Sequence, residues 1–278
     1  SFLCGERMKI EHHVNLGTGN VRVEGIWGGV SGAFVGLVAA EGEEEQVVYK
    51  GGEPDVIRRE FDNLLRWAVV MPGTAPRVVR PPQGPETSGF LMERLTGPTL
   101  EDVVLRRDDP LRPVIDRVTT FLDALWTRTA ERELGHEDFV AQIRSRLPSL
   151  FDVHPHVTEL CTHARTFGPV TQRSLDDLLA AAAERSHDLH SPFVVFLHGD
   201  MNLNNLVLHD GPAGANGAEE PPGGIRAVDV FRSGMGDYAR DLGVLLVSGL
   251  RHPLSRGPAR KRARAFSMAV CGFARAWA

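Results

Sequence analysis

The chain has 278 residues, 42% of them hydrophobic and 24% charged, which is the composition of a folded globular protein with room for one large domain or two lobes. Its formal net charge of -5 offers no basic surface for nucleic acid, and no apolar stretch approaches the ~20 residues that a membrane span needs, so neither nucleic acid nor a membrane is an expected partner. The scattered Cys4, Cys161 and Cys271 exclude a disulfide framework, and the start has no long apolar signal core, so we expect a cytoplasmic protein.

The first hundred residues have the pattern of a small sheet with one helix. The segment 20–27 alternates apolar and polar residues with a period of two, as a half-buried strand does. Ile57, Phe61 and Leu64 recur at helical spacing and predict a helix over 56–70. Further strands are predicted at 32–40, 46–50 and 89–97.

From Thr99 the chain becomes mainly helical. Periodic apolar residues predict several helices before residue 190 and two that close the chain, at 239–250 and 260–277. Short apolar strands are predicted between these two groups of helices, at 193–197, 205–209 and 225–231.

The order of these elements predicts the architecture. Strands followed by helices indicate an α+β fold rather than a parallel α/β sheet. A Gly-Pro connector near 95–100 separates a small lobe, 1–96, from a larger lobe, 97–278. A cleft between two lobes is a natural ligand site.

The segment 198–205 places one acid and several carboxamides at the end of an apolar strand. Asn205 follows Asp200 with four residues between them. Asp229 lies in the predicted strand 225–231, which follows the strand that begins at Asn205. A hard cation such as Mg²⁺ prefers oxygen ligands from carboxylates, amides and phosphates. Asn205 and Asp229 would bind such a cation, while Asp200 would stay off the metal and accept a proton from a substrate hydroxyl.

The pattern His-Gly-Asp-x4-Asn, then an Asp after a strand, then Gly-Asp-x3-Asp-Leu resembles the signature of the aminoglycoside phosphotransferase and small-molecule kinase family. "HGDMNLNN" and "VDVFRSGMGDYARDLG" carry it, with a lengthened loop between them. The resemblance implies a bilobal, protein-kinase-like fold in which Asp200 is the catalytic base. It implies that Asn205 and Asp229 are the Mg²⁺ ligands. It also implies that Asp237 and Asp241 brace the catalytic loop and the next helix; the alternative for both is a role as helix caps.

The segment after Asp229 departs from the family pattern. The family usually has Trp or Phe directly after the second metal-binding Asp, and here Val230 and Phe231 follow. This change leaves the metal-binding oxygen in place. Arg232 is unusual at its position, and it either contacts phosphate or substrate or pairs with an acid.

A glycine-rich hairpin at 27–34 is a candidate for phosphate binding. Glycines let backbone N–H groups approach phosphate oxygens, and a serine hydroxyl adds a donor. Any hairpin could use such glycines, but this one is the first in the small lobe and resembles the family's phosphate-binding loop. The residues concerned are Gly28, Gly29, Ser31 and Gly32.

Lys50 is one of three lysines in a chain with 28 arginines. An ammonium group at the end of the apolar strand 46–50 suits the α- and β-phosphates of a nucleotide. Lys50 and Glu60 together resemble the strand lysine and helix glutamate of the kinase fold, so we expect Glu60 to fix the direction of the lysine. Glu53, in the loop beside Pro54, is a competing partner.

The strand at 89–97 runs into a connector that resembles the family's hinge. The resemblance implies that Met92 backs the adenine pocket. It implies as well that the backbone from Glu93 to Leu95 hydrogen-bonds the base.

The expected function is transfer of the γ-phosphoryl group of ATP, with GTP as the alternative nucleotide, to a hydroxyl of a small molecule in the presence of Mg²⁺. An aminoglycoside, another antibiotic or a sugar-like metabolite fits as the acceptor. A protein Ser/Thr kinase and a catalytically inactive nucleotide-binding module are the alternatives. Against a protein kinase, this sequence has no Ala-Pro-Glu element and no activation segment after Asp229. The sequence does not indicate an oligomeric state.

Overall fold

The computed structural model of the chain divides into two compact units, one formed by Ser1–Ala130 with Val195–Ala278 and the other by Glu131–Val194. The lobe boundary that we predicted after residue 96 falls within the first unit and stays a prediction. The structure describes residues 12–15, 20–28, 34–38, 47–82, 89–106, 109–132, 138–186, 191, 193–209, 220–251 and 257–278.

Six strands form one antiparallel sheet in the first unit. They are β1 (His12–Asn15), β2 (Asn20–Gly28), β3 (Phe34–Val38), β4 (Val47–Gly51), β5 (Val78–Arg80) and β6 (Gly89–Glu93). Their order across the sheet is β1-β2-β3-β4-β6-β5, which places β4 in the interior between β3 and β6. Tyr49 of β4 and Leu91 of β6 belong to the apolar cluster that the sheet buries.

Helix α1 (Pro54–Val70) follows β4 directly. Pro54 suits the first helical position, because the N–H that proline lacks would have no partner there. The buried face of this helix is apolar except for the polar side chains of Glu60 and Asn63. Buried polar side chains are unusual in a helix whose role is only to pack against the core. The buried residues are Ile57, Glu60, Asn63, Leu64 and Trp67.

The remaining elements are mainly helices and three-residue strands. The helices are α2 (Leu111–Thr129), α3 (Phe139–Val153), α4 (Val157–Thr162), α5 (Leu175–Ser186), α6 (Tyr238–Arg251) and α7 (Pro258–Trp277). The strands are β7 (Arg165–Phe167), β8 (Val170–Gln172), β9 (Val195–Leu197), β10 (Leu206–Leu208), β11 (Ile225–Ala227) and β12 (Gly234–Gly236).

Two strand pairs carry the loops of the predicted site. β10 pairs antiparallel with β11, with Leu206 opposite Ala227. β9 pairs antiparallel with β12, with Leu197 opposite Gly234. The loops that follow β9 and β11 and precede β10 are therefore anchored by paired backbone on each side.

Aromatic packing joins α2 to the last helix of the first unit. The Trp126 ring stacks on Phe273, with centroids 5.8 Å apart, and meets the Trp277 ring edge-on at 5.2 Å. Large rings of this kind bury much apolar surface and contribute strongly to a core. Apolar residues of the last helix thus pack against α2.

The second unit consists of α3, α4, α5 and the hairpin β7–β8. Its two ends are tied by backbone hydrogen bonds in both directions between Glu131 and Val194, at 2.9 and 3.0 Å. The first and last residues of this unit are therefore adjacent to each other.

The observed architecture confirms the predicted α+β class, with a small antiparallel sheet and a mostly helical remainder. The predicted strands of the first hundred residues correspond to β2, β3, β4 and β6, and the predicted helix is α1 with two further residues at its start. Across the described ranges, no helix is both long enough and apolar enough to cross a bilayer.

Candidate active site

Lys50 lies at the centre of a buried charge cluster. It belongs to β4, where it is paired with Val35 of β3 and Phe90 of β6, and it is only 5% exposed. Its Nζ lies 2.9 Å from Glu60 Oε1 and 2.8 Å from Asp229 Oδ1. A lysine, a helix glutamate and an aspartate 179 residues away thus meet at one point.

Burial and opposite charge act in opposite directions on this cluster. Burial alone would lower the pKa of Lys50, but the carboxylates of Glu60 and Asp229 outweigh it and the pKa is raised, so the ammonium stays charged. Burial favours the neutral form of Asp229 too, yet the Lys50 ammonium lowers the pKa of that carboxyl. For Glu60 burial prevails and its pKa is raised.

Glu60 serves two partners through a single oxygen. Its Oε1 accepts from Lys50 and also from the backbone N–H of Val230, at 3.1 Å. Its Oε2 is buried and has no hydrogen-bond partner among the described residues. The other predicted partner, Glu53, forms no ion pair with Lys50 in the described part of the chain. The structure therefore places Glu60 beside Lys50, with a second contact to the residue that follows Asp229.

Asn205 and Asp229 lie on adjacent strand ends. The β10–β11 pairing continues into a hydrogen bond from Val228 N to Asn205 O, at 2.9 Å. Asn205 is buried, and its Nδ2 donates to Asp200 O at 2.9 Å. This bond orients the carboxamide through one of its two N–H groups, so the oxygen Oδ1 is the acceptor that can bind a cation.

These oxygen atoms fit a hard divalent cation. Asn205 Oδ1 and Asp229 Oδ2 accept no hydrogen bond from the residues that the structure describes. The Asp229 side chain is 46% exposed, so it is open to a ligand. No group of three or more His, Cys, Asp or Glu side chains within the described ranges could hold a metal. Mg²⁺ commonly takes one or two protein oxygens and completes its shell with water and nucleotide phosphates, which suits this set.

Asp241 holds the loop that carries Asp200 through hydrogen bonds to its backbone. This buried carboxylate accepts from His198 N at 2.6 Å and from Gly199 N at 2.8 Å. Burial raises the pKa of Asp241, while the His198 ring and these two N–H groups oppose the rise. Gly199 has a φ of 83°, and a Cβ there would clash with the carbonyl oxygen of Arg232, so only glycine fits. Asp241 thus has the bracing role that the resemblance implied.

The Asp200 side chain is partly exposed, at 28%. Its Oδ1 accepts from Asn202 Nδ2 at 2.6 Å. Its Oδ2 lies 4.0 Å from Arg232 Nη1, at the outer limit of an ion pair, and the arginine side chain is 47% exposed. The sequence left two roles open for Arg232, contact with phosphate or substrate and pairing with an acid. Among the described residues, this long contact is the pairing that Arg232 makes with an acid. One oxygen of Asp200 is therefore oriented by Asn202, while the other has only this long contact among the described residues.

The predicted hinge is held by side chains as well as backbone. Met92 is buried in β6. Glu93 N donates to Arg77 O at 2.8 Å, so this amide is already used. Leu95 is partly buried, and its amide donates to no group in the described ranges. Within the predicted hinge, Leu95 N is thus an available donor.

Glu93, in the predicted hinge, forms a close ion pair with Arg226. Arg226 of β11 contacts it with two nitrogens, at 2.6 and 2.8 Å, and also donates to Ala75 O at 3.0 Å. Burial opposes ionisation, but the hydrogen bonds from Arg226 and from Arg77 N lower the pKa of Glu93 below its usual 4.5. This pair links the hinge to the strand that leads to Asp229.

Glu93→Gln is expected to reduce the free energy of unfolding by about 1–2 kcal/mol near neutral pH, because it removes the charge from a two-point hydrogen bond. A group whose pKa is lowered by folding stabilises above its unfolded pKa and loses that contribution as pH falls through the folded value. The difference between wild type and variant, from chemical denaturation, should therefore shrink below about pH 4.5. Glu159→Gln, at an exposed ion pair with Arg165, is the matched control and should change little. A difference that grows towards acid pH would contradict this account.

The predicted phosphate loop is only partly described. Gly28 ends β2, opposite Phe34 of β3, which fits a hairpin between these strands. Gly29, Ser31 and Gly32 lie outside the described residues. Their predicted contact with nucleotide phosphates stays a prediction.

Several residues at the site were not found from the sequence. Asn63 Nδ2 donates to the carbonyls of Val230 and Phe231, both at 3.0 Å. Trp67 Nε1 donates to Ser233 Oγ at 2.8 Å, and that hydroxyl donates to His198 O at 3.0 Å. The available signal was spacing, since these α1 residues follow Glu60 by three and seven positions and share its face.

Comparison with known proteins gives a fold. No protein-family model and no curated protein sequence matches the chain. Among solved structures, aminoglycoside phosphotransferase APH(3'')-Id from Streptomyces rimosus, in complex with ADP and streptomycin, is 16% identical, with 88% of this chain and 85% of that chain covered and a TM-score of 0.53.

Two further solved structures give similar values. The GDP and kanamycin complex of APH(2'')-IIia is 13% identical, with 92% of this chain and 78% of that chain covered and a TM-score of 0.53. Spectinomycin phosphotransferase APH(9)-Ia, with ADP and spectinomycin, is 11% identical, with 94% and 76% covered and a TM-score of 0.52. At these identities the likeness shows that the chain has the fold of the aminoglycoside phosphotransferases.

Proposed function

We propose that the chain is a phosphotransferase that moves the γ-phosphoryl group of ATP or GTP to a hydroxyl of a small molecule. The observation that carries this proposal is the 2.8 Å contact between Lys50 Nζ and Asp229 Oδ1, in a fold shared with antibiotic phosphotransferases. A buried ammonium beside an accessible carboxylate is what phosphate and metal binding at one point require. The nucleotide requirement suits a cytoplasmic protein.

The residues of the cluster would divide the work of nucleotide binding. Lys50 would hold the α- and β-phosphates, directed by Glu60. Leu95 N, at the hinge, would donate to the base, with Met92 behind it. Asn205 Oδ1 and Asp229 would hold Mg²⁺, which when bound would neutralise negative charge on the phosphates.

Asp200 would act on the acceptor. Its Oδ1 is held by Asn202. Its Oδ2 would accept the proton of the acceptor hydroxyl as the new oxygen–phosphorus bond forms and the bond between the γ-phosphorus and the bridging oxygen of the β-phosphate breaks, releasing ADP or GDP. Asp241 fixes the backbone on the N-terminal side of Asp200, and Asn205 fixes its carbonyl. A carboxylate held in this way loses little freedom when substrate binds, which favours transfer.

The acceptor class is proposed from the structural neighbours. Those proteins were solved with streptomycin, kanamycin and spectinomycin. We therefore place aminoglycosides and related antibiotics first, with sugar-like metabolites as the next class to test. At this level of identity the neighbours support a hydroxyl-bearing small molecule more strongly than any particular drug.

A transfer assay tests this proposal. The purified chain would be incubated with ATP or GTP and a panel of aminoglycosides, macrolides, other antibiotics and sugars, with and without Mg²⁺. Release of nucleoside diphosphate and a mass increase of one phosphoryl group on a panel compound are expected, both dependent on Mg²⁺. Transfer to protein serine or threonine instead would favour a protein kinase. Nucleotide binding without hydrolysis or transfer would favour an inactive module.

A further inference from the structure

Asp229 has an unusual backbone conformation. Its φ of 61° and ψ of 51° lie in the left-handed region, and no other described non-glycine residue has a positive φ. This conformation is disfavoured for a residue that has a Cβ atom, so surrounding contacts must hold it. The residues that follow, Val230–Arg232, form a single 3-10 turn.

Two side chains of α1 form hydrogen bonds with the backbone of this turn. Asn63 Nδ2 donates to Val230 O and to Phe231 O, both at 3.0 Å. One turn earlier on α1, Glu60 Oε1 accepts from Val230 N at 3.1 Å. Three backbone groups directly after Asp229 are therefore bound by side chains of one helix.

The contribution of Asn63 differs from that of Glu60. Glu60 is shared with Lys50, whereas within the described ranges the Asn63 side chain forms hydrogen bonds to this turn alone. Asn63 is 3% exposed and Val230 is fully buried, so water could not easily replace the two bonds. A neutral carboxamide supplies both donors without adding charge beside the Lys50 cluster.

We propose that Asn63 is a positioning residue, which locks the turn after Asp229 and so keeps the Asp229 carboxylate directed at bound metal and nucleotide. The inference rests on the proposed function, because it concerns the use of Asp229 as a ligand. It adds a residue with no reacting role of its own. Loss of its donors would release the Val230 and Phe231 carbonyls, and Asp229 could then relax out of the left-handed region.

The test compares Asn63→Leu, which keeps a side chain of similar volume but has no donor, with Ile57→Ala on the same buried face of α1. Mn²⁺ binding would be titrated by electron paramagnetic resonance in the presence of ADP, with Mn²⁺ standing in for Mg²⁺. Loss of a side chain that orients a metal ligand commonly weakens binding about 10–100-fold, and we expect that range for Asn63→Leu. ADP binding without metal, measured by calorimetry, should stay within about twofold, because it depends on Lys50 and the hinge.

Ile57→Ala controls for general loss of stability. It should lower the melting temperature as much as Asn63→Leu or more, and leave Mn²⁺ binding near wild type. Asn63→Ser is the second variant, since a small hydroxyl leaves room for a bridging water, and it should weaken Mn²⁺ binding to an intermediate degree if leucine prevents folding. Equal Mn²⁺ binding by the folded Asn63 variants and Ile57→Ala would overturn the positioning role while the proposed function stands. A wild-type chain that binds no Mn²⁺ with ADP would overturn both.

Discussion

Replacement of Asp200 by asparagine is expected to lower the rate of phosphoryl transfer by about 10²–10⁴, because it removes the group that accepts the hydroxyl proton. Asparagine has nearly the same shape, and its Oδ1 can still accept from Asn202 Nδ2, as Asp200 does at 2.6 Å. The loop is otherwise held by Asp241, which the substitution does not touch. We therefore expect a loss of kcat with little change in stability or in nucleotide binding.

The measurement is steady-state transfer to whichever acceptor the panel identifies, with melting temperature recorded alongside. Asp116→Asn is the matched control, because it makes the same chemical change at an exposed helix position paired with Arg112. It should leave kcat unchanged. A folded Asp200→Asn variant with a kcat within threefold of wild type would remove Asp200 from its assigned role.

Lys50→Met is expected to weaken nucleotide binding severely and to lower the free energy of unfolding by about 3–5 kcal/mol near neutral pH, as removal of one member of a buried charge pair typically does. Methionine fills a similar volume but leaves the Glu60 carboxylate, which is 1% exposed, without its cation. Asp229 loses the same partner, although its side chain reaches solvent. The main cost is therefore the charge on Glu60.

The pH dependence of this loss has a definite sign. Burial already raises the pKa of Glu60, and the Lys50 charge opposes that rise, so its removal raises the pKa further. As pH falls, Glu60 in the variant takes up a proton and the unpaired charge disappears. Chemical denaturation should thus show a smaller difference between wild type and Lys50→Met at pH 5 than at pH 8.

Lys261→Met is the control for this variant, since Lys261 is an exposed lysine on α7. It should bind nucleotide as wild type does and show no such dependence on pH. If Lys50→Met were as stable as Lys261→Met at pH 8, the buried cluster would not have the energetic importance assigned to it.

The charged residues of the site could be predicted from the sequence, partly from their positions in the chain and partly from the resemblance to a known family. Lys50 is one of three lysines and ends an apolar strand, which requires a buried partner. The structure places Glu60, the partner suggested by the resemblance, beside it, and brings Asp229 to the same point. The spacing of Asp200 and Asn205 was informative in the same way, because a short loop limits where both side chains can lie.

The hydrogen bonds that support those residues could not be predicted. Asn63 and Trp67 contact Val230 and Ser233 across more than 160 residues, and nothing local to either segment indicates the pairing. The same holds for the bidentate bond between Arg226 and Glu93. An asparagine on an apolar helix face marks a buried polar contact, but its partner depends on the tertiary fold.

Very short elements escaped prediction for a different reason. β7, β8 and β12 have three residues each, too few to show a period of two. The first of the helices predicted after the chain becomes mainly helical, over 99–106, is seen chiefly as a π-helical turn at Asp102–Arg106. Pairing across space, rather than the local pattern, determines such elements.

The most direct test of the account is a crystal structure with Mg²⁺ and a non-hydrolysable ATP analogue. We predict Mg²⁺ at about 2.0–2.1 Å from oxygens of Asn205 and Asp229, as is usual for this ion, with Lys50 Nζ on a phosphate oxygen. A nucleotide bound away from Lys50, or a metal held without either Asn205 or Asp229, would contradict it.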